Sequence, residues 1–360
     1  MGCAMKVGWG LINILMVISN LQQCVLGLSK VPCFFIFGDS LSDSGNNNYL
    51  ATTAKANYSP YGIDFALGPA GRFCNGETRV DIITKILGFN NYIPSFATAS
   101  TSDIHNGLNY ASSGSGILEE TGRILGELFS LNQQLQNHKE TIKNLVAKLG
   151  TVDSATQYLK KCLYSVGMGT NDYVNNYFSI VSSFNMLLYD LEKFTESLIH
   201  QYSKQLRILH HLGARKIVLF GLGPLGSTPY TTNAFPVNTT KNMNNGAKLF
   251  NKKLKSLVDQ LNTELTDAKF IYVNVYQMMS SDVLLSSGFK VLNKSCCTVL
   301  NATMACYPFC TPSCENRKEY VYWDGFHPTQ AMNRILAQRS YEAVHPSDVH
   351  PFDISHLLKL

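Results

Sequence analysis

The stretch Phe34-Phe35-Ile36-Phe37-Gly38-Asp39-Ser40-Leu41-Ser42-Asp43-Ser44-Gly45-Asn46 decides how the rest of the chain is read. Its first four residues are apolar without alternation, the pattern of a strand buried on both faces. The run stops at Gly-Asp-Ser, and a turn rich in Ser, Asp, Gly and Asn follows. Open α/β sheets bind ligands outside the carboxyl ends of their strands, so Ser40 stands where a nucleophile would. The same residues also suit a helix cap, because Ser and Asp after a strand accept the first free N–H groups of a helix. This stretch alone leaves both readings open.

Outward from it, the pattern recurs. Residues 162–166 predict a strand that runs into Gly167-Met168-Gly169-Thr170-Asn171-Asp172, and 107–117 read as another strand-to-loop junction, Gly-Leu-Asn-Tyr-Ala-Ser-Ser-Gly-Ser-Gly-Ile. Further strands are predicted at 216–221 and 269–276. Apolar residues at three- and four-residue steps predict helices near 77–87, over 128–149, from Leu191 to a stop at Gly213, and over 250–265. A last helix follows Tyr320-Val321-Tyr322-Trp323-Asp324-Gly325-Phe326-His327-Pro328, with Pro328 in its first turn. Strands alternating with helices predict an α/β fold, a central parallel sheet covered on both faces. No linker interrupts it, so 30–360 are read as one domain.

Composition narrows the function classes. The chain has 360 residues, 45% hydrophobic and 15% charged, enough for a substantial core. The net charge of +5 comes without a clustered Lys/Arg tract, which disfavours nucleic acid as a partner. Residues 1–29 read as a signal peptide: Lys6 precedes apolar runs at 11–17 and 24–28, and the small residues Gly27 and Ser29 close the segment. Asn13, Ser19, Asn20, Gln22 and Gln23 interrupt the apolar run, so no stable membrane insertion is expected. Extracellular export, to the apoplast or cell wall, fits the acceptor sequons at Asn57, Asn238, Asn293 and Asn301. It also fits the cysteines: ten in all, two of them (Cys3 and Cys24) in the leader and eight beyond it. Cys296, Cys297, Cys306, Cys310 and Cys314 crowd one segment, but that segment has no Cys-x-x-Cys pair and no histidine. Disulfides are therefore expected there and a zinc site is not; no metal or other cofactor is called for.

Acyl transfer needs a nucleophile, a base, a group that holds the base, and donors for the developing oxyanion. Ser40, His327 and Asp324 can fill the first three roles. The backbone N–H groups of Ser40 and Gly114, with the Asn171 amide, can fill the fourth. Taken singly, each piece has a plainer reading, as an Asp-x-x-His capping pair or an Asn-Asp turn. Their joint occurrence at successive predicted strand ends favours the catalytic one.

With these residues in view, the chain resembles the plant GDSL-type esterases/lipases of the SGNH hydrolase superfamily. The matching stretches are 37–48, Gly71-Arg72-Phe73-Cys74-Asn75-Gly76, 109–117, 167–173 and 323–328. The resemblance implies a flavodoxin-like α/β/α sandwich and metal-free ester hydrolysis. It assigns Ser40 as nucleophile, His327 as base with Asp324 as its partner, and Gly114 and Asn171 as oxyanion donors. A small-molecule, lipid or cell-wall ester is the implied substrate. Two positions depart from the family pattern: Cys74 replaces a usual serine, offering either a disulfide or a free thiol, and Ser113 replaces a usual glycine beside the oxyanion loop. The same site also serves acyl transfer to an alcohol or deacylation of a cell-wall glycan. A non-catalytic secreted binding protein is the reading from another class, and the presence of both Ser40 and His327 speaks against it.

Overall fold

The computed structural model describes residues 29–179, 190–300, 305–310 and 314–360. The expected leader and the sequon asparagine Asn301 lie outside the described residues, apart from Ser29 of the leader. Four short strands form the centre: β1 (Phe34–Gly38), β2 (Leu163–Gly167), β3 (Lys216–Phe220) and β4 (Lys269–Val273). They pair in parallel and in that order, in register from Phe34↔Leu163 to Gly38↔Gly167 and from Lys216↔Lys269 to Phe220↔Val273. β1 and β2 are buried at every residue, as an apolar run without alternation requires.

Helices cover both faces. On one side α2 (Leu131–Leu149), α3 (Val152–Leu159), α4 (Leu191–His211) and α5 (Val237–Glu264) pack on Phe35, Phe37, Tyr164, Ile217 and Phe270. On the other, α1 (Arg79–Ile86) and α6 (Gln330–Tyr341) pack on Phe34, Ile36, Leu163, Val218 and Ile271. Local chemistry sets the boundaries. Thr78 and Asp81 make a capping box at the start of α1, and Ser130 caps α2, which ends at Gly150 with φ 86°. A third, smaller cluster joins Tyr61, Phe73 and Trp323 to Cys296, Cys297, Cys306 and Cys314.

Several expectations need correction. Residues 107–112 are not a regular strand. They run beside the outer edge of β1 through Tyr110 N–H to Ile36 O (2.8 Å) and Ser112 N–H to Gly38 O (3.0 Å), with one parallel bridge at Ile36↔Asn109. Counted by its place in the chain, this segment makes the order 2-1-3-4-5, the flavodoxin-like arrangement. The sheet is not wholly parallel: β7 (Val349–His350) pairs antiparallel with β4. The strand expected over 269–276 ends at Val273, because the Asn274 side chain caps a helical turn at Val275–Met278. α5 begins at Val237, well before the apolar steps that signalled it. Pro328 lies just before α6, whose cap is Thr329. The strand before Asp324, β6 (Tyr320–Tyr322), belongs to a separate two-stranded sheet with β5 (Val291–Ser295).

Disulfides join Cys33 to Cys162, Cys296 to Cys314 and Cys297 to Cys306. The first ties the residues just ahead of β1 and β2. Of the eight cysteines after residue 29, Cys74 and Cys310 are free thiols, so the even count does not mean full pairing. Among the described residues no helix is long and apolar enough to cross a membrane.

Candidate active site

β1 and β2 flank the point where the strand order reverses, and both deliver their next residues to the same end of the sheet. After β1 the chain turns at once, with Ser42 and Asp43 N–H groups bonded to Asp39 O (3.1 and 3.0 Å), and leaves Ser40 half-buried. Gln134 of α2 braces this exit from below. Its amide accepts from Gly38 N–H (2.9 Å) and donates to Gly38 O (2.9 Å).

The Ser40 hydroxyl lies 2.8 Å from His327 Nε2. His327 Nδ1 faces Asp324, 2.9 Å from Oδ1 and 2.7 Å from Oδ2. A carboxylate on that side fixes the tautomer: Nδ1 carries the proton, and Nε2 offers its lone pair to the serine. Asp324 Oδ1 also accepts from the N–H groups of Phe326 and His327, both at 2.8 Å, and Oδ2 accepts from the Tyr61 hydroxyl at 2.6 Å. Burial alone would raise the Asp324 carboxyl. The imidazole, Tyr61 and the Phe326 N–H together outweigh it and hold the group below its ordinary value. Phe73, from the 71–76 stretch, lies against the imidazole with ring centroids 5.0 Å apart.

The loop after the irregular edge segment is fastened to the serine turn on every side. Asp43 accepts from Ser113 N–H (3.1 Å), and Asn47 accepts from the Ser112 hydroxyl (2.6 Å) and Ser113 N–H (3.1 Å). Asn46 donates to the carbonyls of Asn109 and Ala111 at 2.9 and 2.7 Å. Gly114 has φ 83°, and a Cβ there would come within 2.8 Å of Leu125, so the position needs glycine. Among the described residues Phe309 is the only non-glycine with positive φ, so Ser113 sits on unstrained backbone. The departure at 113 is therefore accommodated.

Asn171 follows β2 and donates one amide hydrogen to Ser115 O at 2.9 Å, which sets it against the Gly114 loop. Its neighbour Asp172 gathers Ile117 N–H (2.9 Å), Leu118 N–H (3.0 Å) and the Thr121 hydroxyl (2.8 Å). Burial outweighs these donors and pushes the Asp172 carboxyl up to about 6; Asp43 is raised to about 6 for the same reason. The Cys74 thiol is buried and donates to Gly76 O (3.0 Å), and burial pushes it up to about 12.

Ser40, His327 and Asp324 are thus joined by direct bonds, and Asn171 is tied to Ser115 next to Gly114, whose loop reaches back through the Ser115 hydroxyl to Gly38 O (3.1 Å). A sequence model of the family described as GDSL-like Lipase/Acylhydrolase matches residues 34–340. The chain belongs to the GDSL lipase/acylhydrolase family. Two GDSL esterases/lipases of Arabidopsis thaliana are similar to it along almost their whole length. One is 47% identical over 338 residues (92% of this chain, 93% of the relative), the other 45% over 352 residues (96% and 97%). Among solved structures, a phospholipase A1 from Streptomyces albidoflavus NA297 aligns over 86% of this chain and 96% of its own, at 11% identity and a TM-score of 0.33. As a GDSL family member the protein is a carboxylic ester hydrolase that works through a serine.

Sequence reasoning missed Tyr61, Phe73 and Gln134. Gln134 left a trace, a polar residue between Leu131 and Leu135 on the apolar face of α2. Tyr61 left none, because its contact with Asp324 spans 263 positions. Two surface hollows, about 650 Å³ along α2 and α4 and about 380 Å³ beside Leu128 and Phe129, are lined by none of Ser40, Asp324 or His327.

Proposed function

We propose that hydrolysis runs through an acyl-enzyme on Ser40, with His327 as general base and Asp324 as its partner. The observation that carries this is the unbroken path from Ser40 Oγ through His327 to Asp324, at 2.8 and 2.7 Å. As the serine oxygen attacks the ester carbonyl, its proton passes to Nε2, and the imidazolium is stabilised by the Asp324 carboxylate. The same Nε2 proton then goes to the departing alcohol. Water, deprotonated by the regenerated base, cleaves the acyl-enzyme and returns the serine.

The carbonyl oxygen gains charge in both steps. Its donors in this reading are the N–H groups of Ser40 and Gly114 and the second amide hydrogen of Asn171. The bond from Asn171 to Ser115 fixes the amide plane before substrate arrives, so little reorganisation is needed in the transition state. Export to the cell exterior completes the reading. The disulfides belong to an oxidising compartment, and the sequon asparagines Asn57, Asn238 and Asn293 are all exposed.

The test is a pair of variants assayed on a soluble aryl ester. Ser40→Ala should lose turnover while keeping its melting temperature. Asn171→Ala should lower kcat by about 10²–10³ with little change in KM, because its contribution appears as charge develops. Full turnover in folded Ser40→Ala would end the proposal.

A further inference from the structure

Asp324 is held by a set of contacts that closes on itself. Tyr61, 1% exposed, donates from its hydroxyl to Asp324 Oδ2 at 2.6 Å and accepts on the same oxygen from Cys306 N–H at 3.2 Å. Cys306 is disulfide-bonded to Cys297, and Cys297 N–H in turn bonds Trp323 O at 2.8 Å. The circuit thus leaves the backbone at Trp323 and re-enters at the side chain of the next residue. It fixes the carboxylate against the backbone of its own turn, just after β6.

The carboxylate itself shows why the hydroxyl counts. Oδ1 has two backbone donors besides the imidazole, whereas Oδ2, the nearer oxygen to Nδ1, has only the imidazole and Tyr61. Burial, and then the Asp324 charge, push the phenol well above its ordinary value, so it stays protonated and acts as the donor. Its ring is packed between Tyr58 and Phe73, at centroid distances of 5.3 and 5.8 Å, and Phe73 lies on His327. Phenylalanine would keep that packing and remove only the hydroxyl.

We infer that Tyr61 is a positioning residue for the hydrolytic site, acting through Asp324 and held in place by the disulfide-bonded Cys306 backbone. The inference rests on the Ser40–His327–Asp324 reading. Without the hydroxyl, two effects follow. The carboxylate loses its restraint at Oδ2 and orients the imidazole less well, which lowers the plateau rate. Its charge is also less spread, so the imidazolium is held more strongly and the acid limb of the rate profile moves to higher pH. The other titratable groups facing this pair are Ser40 and Asp39 from the turn after β1, Tyr58 from the same loop as Tyr61, and Cys74 from the stretch before α1. None of them is altered by the substitution.

The experiment is a pH profile of kcat and kcat/KM for the full-length protein on a soluble short-chain aryl ester, each rate normalised to fluorophosphonate-reactive sites. For Tyr61→Phe, a plateau kcat about tenfold lower is expected, with KM unchanged and the acid limb raised by about half a pH unit. Tyr58→Phe is the control. It removes a hydroxyl of the same cluster that donates to Cys306 O (3.2 Å) and neighbours Tyr61 without bonding Asp324, and it should leave the acid limb where it is. A wild-type profile in Tyr61→Phe, or an equal shift in both variants, would overturn the assignment while leaving the serine reading intact. Undiminished labelling of Ser40→Ala would overturn both.

Discussion

Ser40 leaves a central strand buried on both faces, whereas Asp324 and His327 leave a three-residue strand of a small outlying sheet. The serine turn is built from backbone, amide and carboxylate hydrogen bonds: Gln134 on Gly38, Asp43 and Asn47 on Ser113, Asn46 on Asn109 and Ala111. The histidine turn is built from rings and sulfur: Tyr61, Phe73 and Trp323 with four disulfide-bonded cysteines. One region takes its rigidity from the sheet. The other, whose strand residues Val321 and Tyr322 belong to the core cluster on the second face of that sheet, adds covalent cross-links and long-range contacts. A 2.8 Å bond between Ser40 and His327 joins them in the proposed catalytic path.

The largest effect should come from the histidine side. Asp324→Asn preserves size and the Tyr61 contact but offers the imidazole an amide, so kcat should fall by about 10⁴ with the fold retained. The check is kcat together with the melting temperature on one preparation. Near-normal turnover would reduce Asp324 to a loop cap and erase the distinction between the two regions.

Removing disulfides one at a time separates the regions further. Cys33 and Cys162 are 129 positions apart, Cys297 and Cys306 only nine. By loop length alone the first bridge stabilises by about 5 kcal/mol and the second by about 2.5 kcal/mol. The paired alanine variant at 33 and 162 should therefore melt earlier yet turn over normally per reactive site. The pair at 297 and 306 should melt less early but lose rate, because it frees the backbone that holds Tyr61. The reverse pattern would show that the aromatic cluster holds Asp324 without its cross-link.

How much was legible follows the same division. Strand ends, helix faces and the residue types of the proposed triad are local signals, and each could be read from a few neighbouring residues. The irregular 107–112 edge misled because Leu108 and Tyr110 alternate with Asn109 like a strand, yet polar Asn109 and the Ser112-Ser113-Gly114-Ser115 run divert its hydrogen bonds to the serine turn. Asn274 ended β4 early through a side-chain cap that an apolar count does not register. Tyr61 and Phe73 were illegible because their roles exist only once residues more than 240 positions away are brought against them. The Cys310 thiol was hidden, and Cys74 stayed open between disulfide and free thiol, for a related reason: an even cysteine count carries no information on proximity.

The smallest expected effect is in pH-dependent stability, and its sign differs between the regions. Asp43 and Asp172 sit at about 6 in the folded chain, against about 4 unfolded. Between those values the folded state holds extra protons, so their contribution is greatest at the acid end and declines as pH rises from 4 to 6. Asp324 is held below its ordinary value, so its contribution is present above the unfolded value and is lost as pH falls through the folded one. Urea midpoints from pH 3 to 7 should show a flatter decline over pH 4–6 in Asp172→Asn, and a flatter acid loss in Asp324→Asn. Parallel curves for the two variants would contradict the contrast.

In the proposed reaction the strand-end serine is the nucleophile and the distant histidine activates it. A fluorophosphonate probe, followed by peptide mass spectrometry, tests it directly. One adduct is expected, on Ser40, formed by the wild type, slowed severely in Asp324→Asn and absent from Ser40→Ala. An adduct on another residue, or labelling that persists in Ser40→Ala, would contradict it.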